Sequence, residues 1–169
     1  MDIMEWMIIF ILIFMLHNLE EVVMVEKWIG RIYPRVVDKV PLFIQKELNN
    51  NKNMTSTQFA WVVLLVSIFA SILMMVAIFT EHYSLFVGLN FIFALNIFTH
   101  PLQSLFLRAY TPGLITSLLL IIPYNILFIN FFTRSEYFTY DTVVVSVILF
   151  IIFIPVFLLC HRLAEKLGN

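Results

Sequence analysis

The chain has 169 residues, of which 62% are hydrophobic and only 12% are charged, and its formal net charge is −1. Typical soluble domains are about 45–50% hydrophobic and about 25% charged, and a domain of this size buries only about two-thirds of its unfolded surface. The composition therefore excludes an ordinary soluble enzyme, a disordered chain and, because there is one cysteine, a disulfide scaffold. The charge balance also argues against nucleic-acid binding. A multi-pass membrane protein remains.

Five apolar stretches are long enough to cross a bilayer, which takes about 20 helical residues. They predict helices over residues of about 3–25, 59–79, 83–107, 111–133 and 142–160. The short alternating segments of a membrane β-barrel do not occur in this sequence. We therefore expect an all-α fold in which residues 1–169 form a single transmembrane domain, a bundle of about five helices.

The loop over residues 26–58 is the one long polar stretch. Lys27, Arg31, Arg35 and Lys39 recur every four residues beside a matching apolar row, which predicts an amphipathic helix on the inner membrane surface, bent at Pro34. With the N-terminus outside, all of the ten lysines and arginines except Arg134 fall on the inner side. The positive-inside rule thus favours a plasma-membrane protein with an outside N-terminus and a cytoplasmic C-terminus.

Two of the predicted spans carry polar side chains that are costly in a membrane: His17, Glu20 and Glu21 in the first, and Asn96, His100 and Gln103 in the third. At about 100° per residue, each trio lies on one face of its helix. Both trios also lie at a similar depth, because Glu20 precedes Lys27 by roughly 10 Å of helix and His100 precedes Arg108 by roughly 12 Å. We therefore expect the two polar faces to meet.

Two adjacent glutamates in a membrane need a proton, water or a compensating cation. The histidines favour a divalent cation, with zinc ahead of iron or manganese. The predicted ligands are His17, Glu20, Glu21 and His100, and one of the two glutamates would serve as the catalytic base. A proton relay uses the same residue types, and polar contacts between helices are the structural alternative. Four further residues are candidates for supporting the ligands or contacting substrate: Asn96, Gln103, Arg108 and Tyr110.

The residues after His100 predict local irregularity. Pro101 lacks an N–H group, so a kink is expected at this point of the third span. Thr111 and Pro112 have the residue types of an N-cap and a first helical residue, and they place the start of the fourth span there. Arg108 either binds an anionic group or only sets the membrane orientation.

The first polar trio reads H-x-x-E-E, from His17 to Glu21. This motif within a span resembles the HXXEE family of small, uncharacterised bacterial membrane proteins. The stretches 96–103 and 108–113 also resemble that family's later region, so the resemblance extends from the first span through the fourth. It implies no activity, because none is established for the family at large.

The polar cluster favours a metal-dependent membrane enzyme, most simply a hydrolase, acting on a lipid-like or apolar substrate. Iron at the same ligands would allow oxidation instead. The alternatives are a proton- or ion-coupled transporter or immunity-type binding protein that uses the same cluster, and a structural membrane protein. Membrane lipids are the expected partners, and a homodimer is left open.

Overall fold

The computed structural model describes residues 1–42, 45–46, 49 and 52–167, without the side chains of Lys39 and Glu165. Its regular elements are all helical within those ranges, and five helices are long and apolar enough to cross a membrane. This confirms the predicted all-α, five-span architecture. We number the helices α1 (Ile3–Val36), α2 (Ser56–Thr80), α3 (Ser84–Ala94), α4 (Asn96–Leu107), α5 (Leu114–Phe132) and α6 (Tyr140–Leu167).

Helix α1 is longer than a membrane span. It begins at a capping box in which Asp2 accepts from the N–H of Glu5 and the Glu5 side chain accepts from the N–H of Asp2. Its 34 residues extend for about 51 Å, whereas a hydrocarbon core is about 30 Å thick. The stretch predicted as a separate amphipathic helix is thus the continuation of α1 through Val36, and a 3₁₀ turn over Val37–Lys39 follows it. Pro34 lies only two residues before the end of α1.

The third span consists of two helices, α3 and α4, that meet at Leu95. The N–H of Leu95 bonds to Ile92 and the N–H of Phe98 bonds back to Leu95, which are three-residue spacings that tighten the turn. The irregularity was predicted at Pro101, but Pro101 lies inside α4. The interruption lies six residues before Pro101, beyond the carbonyl of Ile97 that a proline ring at position 101 crowds.

Helix α5 contains a π-helical turn at Ser117–Ile121, just before Pro123. Its first turn starts later than predicted, because Gly113 is the N-cap. The Thr111 hydroxyl instead donates to the carbonyl of His100 at 3.2 Å. The segment between α4 and α5 therefore packs back against α4 and does not extend α5.

Helix α3 lies in the interior, and the third span is more buried than the other four. Phe86, Val87 and Asn90 of α3 are inaccessible to solvent. Gly88 lets α3 approach α6 closely, since a Cβ at that position would lie 2.6 Å from Leu149 Cδ1. Small residues at helix contacts allow the close van der Waals packing that holds membrane bundles together.

Aromatic rings fill the half of the bundle near the N-terminus of α1. Phe10 packs edge-on against Phe86 and Phe93, and Trp6 packs edge-on against Tyr124 and Phe128, with ring centroids 5.4–5.7 Å apart. Such pairs contribute about 0.5–1.5 kcal/mol each beyond their buried area. This packing fixes α1 against α3 and α5, and so sets the register of the polar residues two turns further along α1.

Candidate metal centre

Three potential metal ligands converge where α1 passes α4. His17 and Glu21 are four residues apart on α1 and therefore share one face. His100 reaches them from α4. The Nε2 atoms of His17 and His100 lie 3.9 and 3.3 Å from Glu21 Oε1, respectively. The His17 side chain is 2% exposed and that of Glu21 is 17% exposed, so the group is largely removed from the surface.

The geometry of this group is close to that of a metal site. One ligand atom from each of the three residues lies within 4.8 Å of the others. Ligand atoms about 2.0–2.2 Å from a tetrahedral ion lie about 3.4 Å apart, so a small inward movement would complete the coordination. Two imidazoles and one carboxylate form the ligand set of many catalytic zinc sites and of non-haem iron sites. Sites of both kinds leave coordination positions open for water or substrate.

The fourth predicted ligand, Glu20, has a different environment. Its Oε1 accepts from the Tyr110 hydroxyl at 2.6 Å and from the N–H of Ile115 at 3.2 Å. Its Oε2 accepts from the N–H and the hydroxyl of Thr116, at 2.7 and 2.6 Å. Four donors occupy about all the lone-pair positions of a carboxylate. Glu20 is therefore hydrogen-bonded to the start of α5. It lies outside the group formed by His17, Glu21 and His100, which we call the ligand group.

Thr116 and Gly113 are site residues that sequence analysis missed. The Thr116 hydroxyl lies 2.8 Å from His17 Nδ1. Gly113 has a φ of +82°, and a Cβ there would lie 2.8 Å from Cε1 of both His17 and His100. A glycine in a short turn and a threonine in an apolar span are both common, so neither gave a signal of its own. Their contacts arise from the fold of the turn between α4 and α5.

Tyr110 holds this turn against α1 through both its side chain and its backbone. Its hydroxyl donates to Glu20, and its backbone carbonyl accepts from Trp28 Nε1 at 2.5 Å. Burial, and then the hydrogen bond to Glu20, raise the pKa of the Tyr110 hydroxyl above its ordinary value. The hydroxyl thus stays protonated as a donor at physiological pH. Tyr110 was predicted to support the ligands, and it contacts one of the predicted residues, Glu20.

The remaining predicted residues, Asn96, Gln103 and Arg108, make no described hydrogen bond or ion pair with His17, Glu21 or His100. Asn96 and Gln103 line the cavity described below, and Asn96 Oδ1 accepts from the Thr99 hydroxyl at 3.3 Å. Arg108 is exposed and adopts a left-handed conformation with a φ of 49° at the end of α4. Its observed structural role is therefore the chain reversal that leads into Tyr110 and Gly113.

A large cavity opens from the ligand group into the bundle. Its volume is about 620 Å³, within the range of about 300–1,000 Å³ typical of ligand pockets. Helices α1, α2, α4 and α6 line it, together with the end of α3. The wall is mainly apolar and includes eight phenylalanines: Phe10, Phe14, Phe59, Phe69, Phe93, Phe150, Phe153 and Phe157. The polar lining comes from His17, Asn18, Glu21, Asn96, Thr99, His100 and Gln103.

Fold and site together define a five-span helical membrane protein with a buried group of two histidines and one glutamate beside an apolar cavity. The chain belongs to the family described as "Protein of unknown function with HXXEE motif", whose profile matches residues 8–128. That range includes the motif residues and His100, and it confirms the resemblance noted from the sequence. No curated protein and no solved structure matches the chain.

Proposed function

We propose that this protein is a metal-dependent membrane enzyme, most simply a hydrolase, that acts on a lipid-like or apolar substrate. The observation that carries the proposal is the convergence of His17, Glu21 and His100 at the wall of a 620 Å³ apolar cavity. Buried ionisable groups in a span are costly, and two imidazoles with a carboxylate gain most when they share a cation.

The three ligands would have distinct tasks. A divalent ion held by them would lower the pKa of a bound water toward neutrality and polarise a substrate oxygen. His17 and His100 would donate their Nε2 electron pairs, since both Nε2 atoms face Glu21. Glu21 would bind through Oε1 and use its second oxygen to accept a proton from the attacking water. Zinc fits this set best, and iron would support oxidation at the same residues.

The cavity supports the proposed substrate class. Its phenylalanine-rich wall would bind a hydrocarbon chain, while its few polar groups would orient one polar function near the ligands. No lysine or arginine lines it among the residues that the structure describes. We therefore favour a substrate whose reacting end is a neutral ester, amide or alcohol, bound by its apolar chain.

The basic residues support an orientation for this enzyme. Arg31 and Arg35 lie in the part of α1 that extends beyond the length of a span. Arg108 is exposed at the turn between α4 and α5, whose Tyr110 carbonyl accepts from Trp28 of α1. The positive-inside rule would place this end in the cytoplasm and the N-terminus outside, in the plasma membrane. The ligand group would then lie nearer the inner surface.

Metal content tests the proposal. Protein purified in detergent without chelator, and reloaded with zinc, iron or manganese, should retain about one ion per chain by mass spectrometry. The double variant His17→Ala/Glu21→Gln should lose it, because two of three ligands are removed. A matched control is Glu81→Gln/His82→Ala, which changes the same residue types at an exposed turn. Absence of metal from the wild type after reloading would overturn the proposed metal site.

A further inference from the structure

The Thr116 hydroxyl lies between two side chains of the H-x-x-E-E motif, His17 and Glu20. It is 2.6 Å from Glu20 Oε2 and 2.8 Å from His17 Nδ1. The carbonyl of Gly113, at 3.3 Å, is its one other described hydrogen-bonding neighbour. A single side chain from α5 thus joins a carboxylate and an imidazole that lie three residues apart on α1.

The hydrogen atoms of this arrangement can be assigned by counting donors. A threonine hydroxyl has one hydrogen to donate, and an ionised carboxylate can only accept. The short contact therefore places the Thr116 hydrogen on the side of Glu20. His17 Nδ1 then faces the lone pairs of the hydroxyl, so Nδ1 must itself carry a hydrogen and donate it. A neutral imidazole protonated at Nδ1 has a bare electron pair at Nε2.

The hydrogen-bond donors around Glu20 favour its ionised form. Two backbone N–H groups, from Ile115 and Thr116, converge on its oxygens and can act only as donors. The Tyr110 hydroxyl adds a third donor. Hydrogen bonds of this number and kind stabilise a carboxylate over its protonated form. In the reverse arrangement a protonated Glu20 would donate to Thr116, and Thr116 would donate to His17. A protonated carboxyl group has fewer accepting positions, so it would leave some of these donors without an acceptor.

We propose that Glu20 and Thr116 are positioning residues that hold His17 as the Nδ1–H tautomer and so present its Nε2 electron pair for metal binding. The inference deepens the proposed function and rests on it for the role of the metal, while the tautomer itself is a property of the metal-free protein. It gives the two motif glutamates separate tasks: Glu21 binds the ion, and Glu20 orients a ligand through Thr116. Metal-binding histidines commonly have such a partner on their second nitrogen.

The surroundings of Nε2 agree with this assignment. His17 Nε2 is buried and has no hydrogen-bond partner within the described part of the chain. It faces Glu21 Oε1 at 3.9 Å, so a bare nitrogen electron pair points toward a carboxylate. Two electron-pair donors at this separation repel one another unless a cation lies between them. In this tautomer His17 Nε2 cannot donate a hydrogen bond to Glu21, so a cation between the two atoms would stabilise the pair.

The tautomer can be measured directly. Protein labelled with ¹⁵N-histidine, purified in detergent and stripped of metal, contains four histidines whose imidazole nitrogens report protonation by their chemical shifts. A His17→Gln variant identifies the signals of His17. We expect a protonated Nδ1 and a bare Nε2 in the wild type. We expect the same in Thr116→Ser, which keeps the hydroxyl, and loss of this state in Thr116→Val. A wild-type His17 protonated at Nε2 would overturn the inference.

Metal affinity provides the second readout. Chelator competition with zinc should show about 10–100-fold weaker binding in Thr116→Val, as is usual when the partner of a metal-binding histidine is removed, and near wild-type binding in Thr116→Ser. Thr133→Val is the matched control, because Thr133 caps the C-terminal end of α5, where its hydroxyl donates to the carbonyl of Ile129. Circular dichroism and thermal unfolding establish that each variant is folded.

The remaining outcomes separate the two proposals. An Nδ1–H tautomer that persists in folded Thr116→Val would overturn the role of Thr116. Equal zinc affinities of Thr116→Val and the wild type would do the same. A tautomer that depends on the hydroxyl, in a protein that binds no metal under any condition, would support the positioning inference and refute the proposed enzyme.

Discussion

Gly113 meets two constraints at one residue. Its backbone is left-handed, a conformation that residues with a side chain rarely adopt, and a Cβ at this position would clash with the rings of both His17 and His100. The absence of a side chain allows the turn between α4 and α5 to press against the imidazoles. The turn therefore limits how far the imidazole rings of His17 and His100 can rotate on the side that faces Gly113.

Gly113→Ala should damage the site and the fold together. The left-handed backbone costs about 1–3 kcal/mol with a Cβ, and the methyl group would displace both rings. We expect a lower free energy of unfolding in SDS titrations and weaker zinc binding in chelator competition. Gly30→Ala is the control, because a Cβ built at Gly30 meets no atom within 4 Å apart from the adjoining backbone of its own helix. Equal stability and zinc affinity in the two variants would contradict this account.

At the scale of the helices, the H-x-x-E-E spacing directs side chains of α1 toward two neighbouring helices, α4 and α5. Residues i and i+4 of α1, His17 and Glu21, face the cavity and α4, whereas residue i+3, Glu20, faces the start of α5. Glu20 accepts from backbone N–H groups of the first turn of α5, which have no partner within that helix. It thereby connects α5 to α1 beside the ligands.

Glu20→Ala distinguishes an anchoring role from a ligand role. The variant leaves two backbone N–H groups of α5 without their acceptor, so we expect unfolding to become easier by about 1–3 kcal/mol. At saturating zinc, about one ion per chain should remain, because His17, Glu21 and His100 are intact. The comparison is Glu21→Gln, which should lose zinc and turnover. A folded Glu20→Ala protein without zinc at saturation would show that Glu20 is a ligand.

Much of the site was predictable because it depends on helical periodicity and depth. The face shared by His17 and Glu21, and the matching depth of His100, follow from spacing and from the basic residues at the span ends. The division between Glu20 and Glu21 did not follow, since both lie within about 60° of His17 on the helix. It is decided by Thr116, whose position depends on the turn conformation at Gly113 and on tertiary packing.

At the scale of the whole molecule, the five spans were predicted correctly because apolar length alone reports them. The end of the first helix was not predicted, because α1 continues through its basic stretch to Val36. Hydropathy falls after residue 25, but the helical hydrogen bonding continues. The interruption at Leu95 was missed for the opposite reason, since the backbone changes where hydropathy does not.

The proposed orientation predicts which loops face the cell exterior. In a Cys160→Ser background, a cysteine at Glu136 should react with a membrane-impermeant thiol reagent on intact cells. A cysteine at Lys46 should react only after permeabilisation. Both positions are exposed, so access to the reagent depends on the side of the membrane. The reverse labelling pattern would show that the N-terminus lies inside and would move the ligand group toward the outer surface.

The residues of the site are synthesised at different times, because they lie far apart in the sequence. His17 and Glu21 leave the ribosome in the first span, whereas His100 and Thr116 follow in the third and fourth. At about 5–20 residues per second, the first pair precedes the second by roughly 4–20 s. During that interval a nascent helix carries an ionisable cluster without its partners, at a cost to its insertion into lipid. The first span therefore carries these side chains before their partners exist, and an ion could be shared by His17, Glu21 and His100 only after the third span has been synthesised.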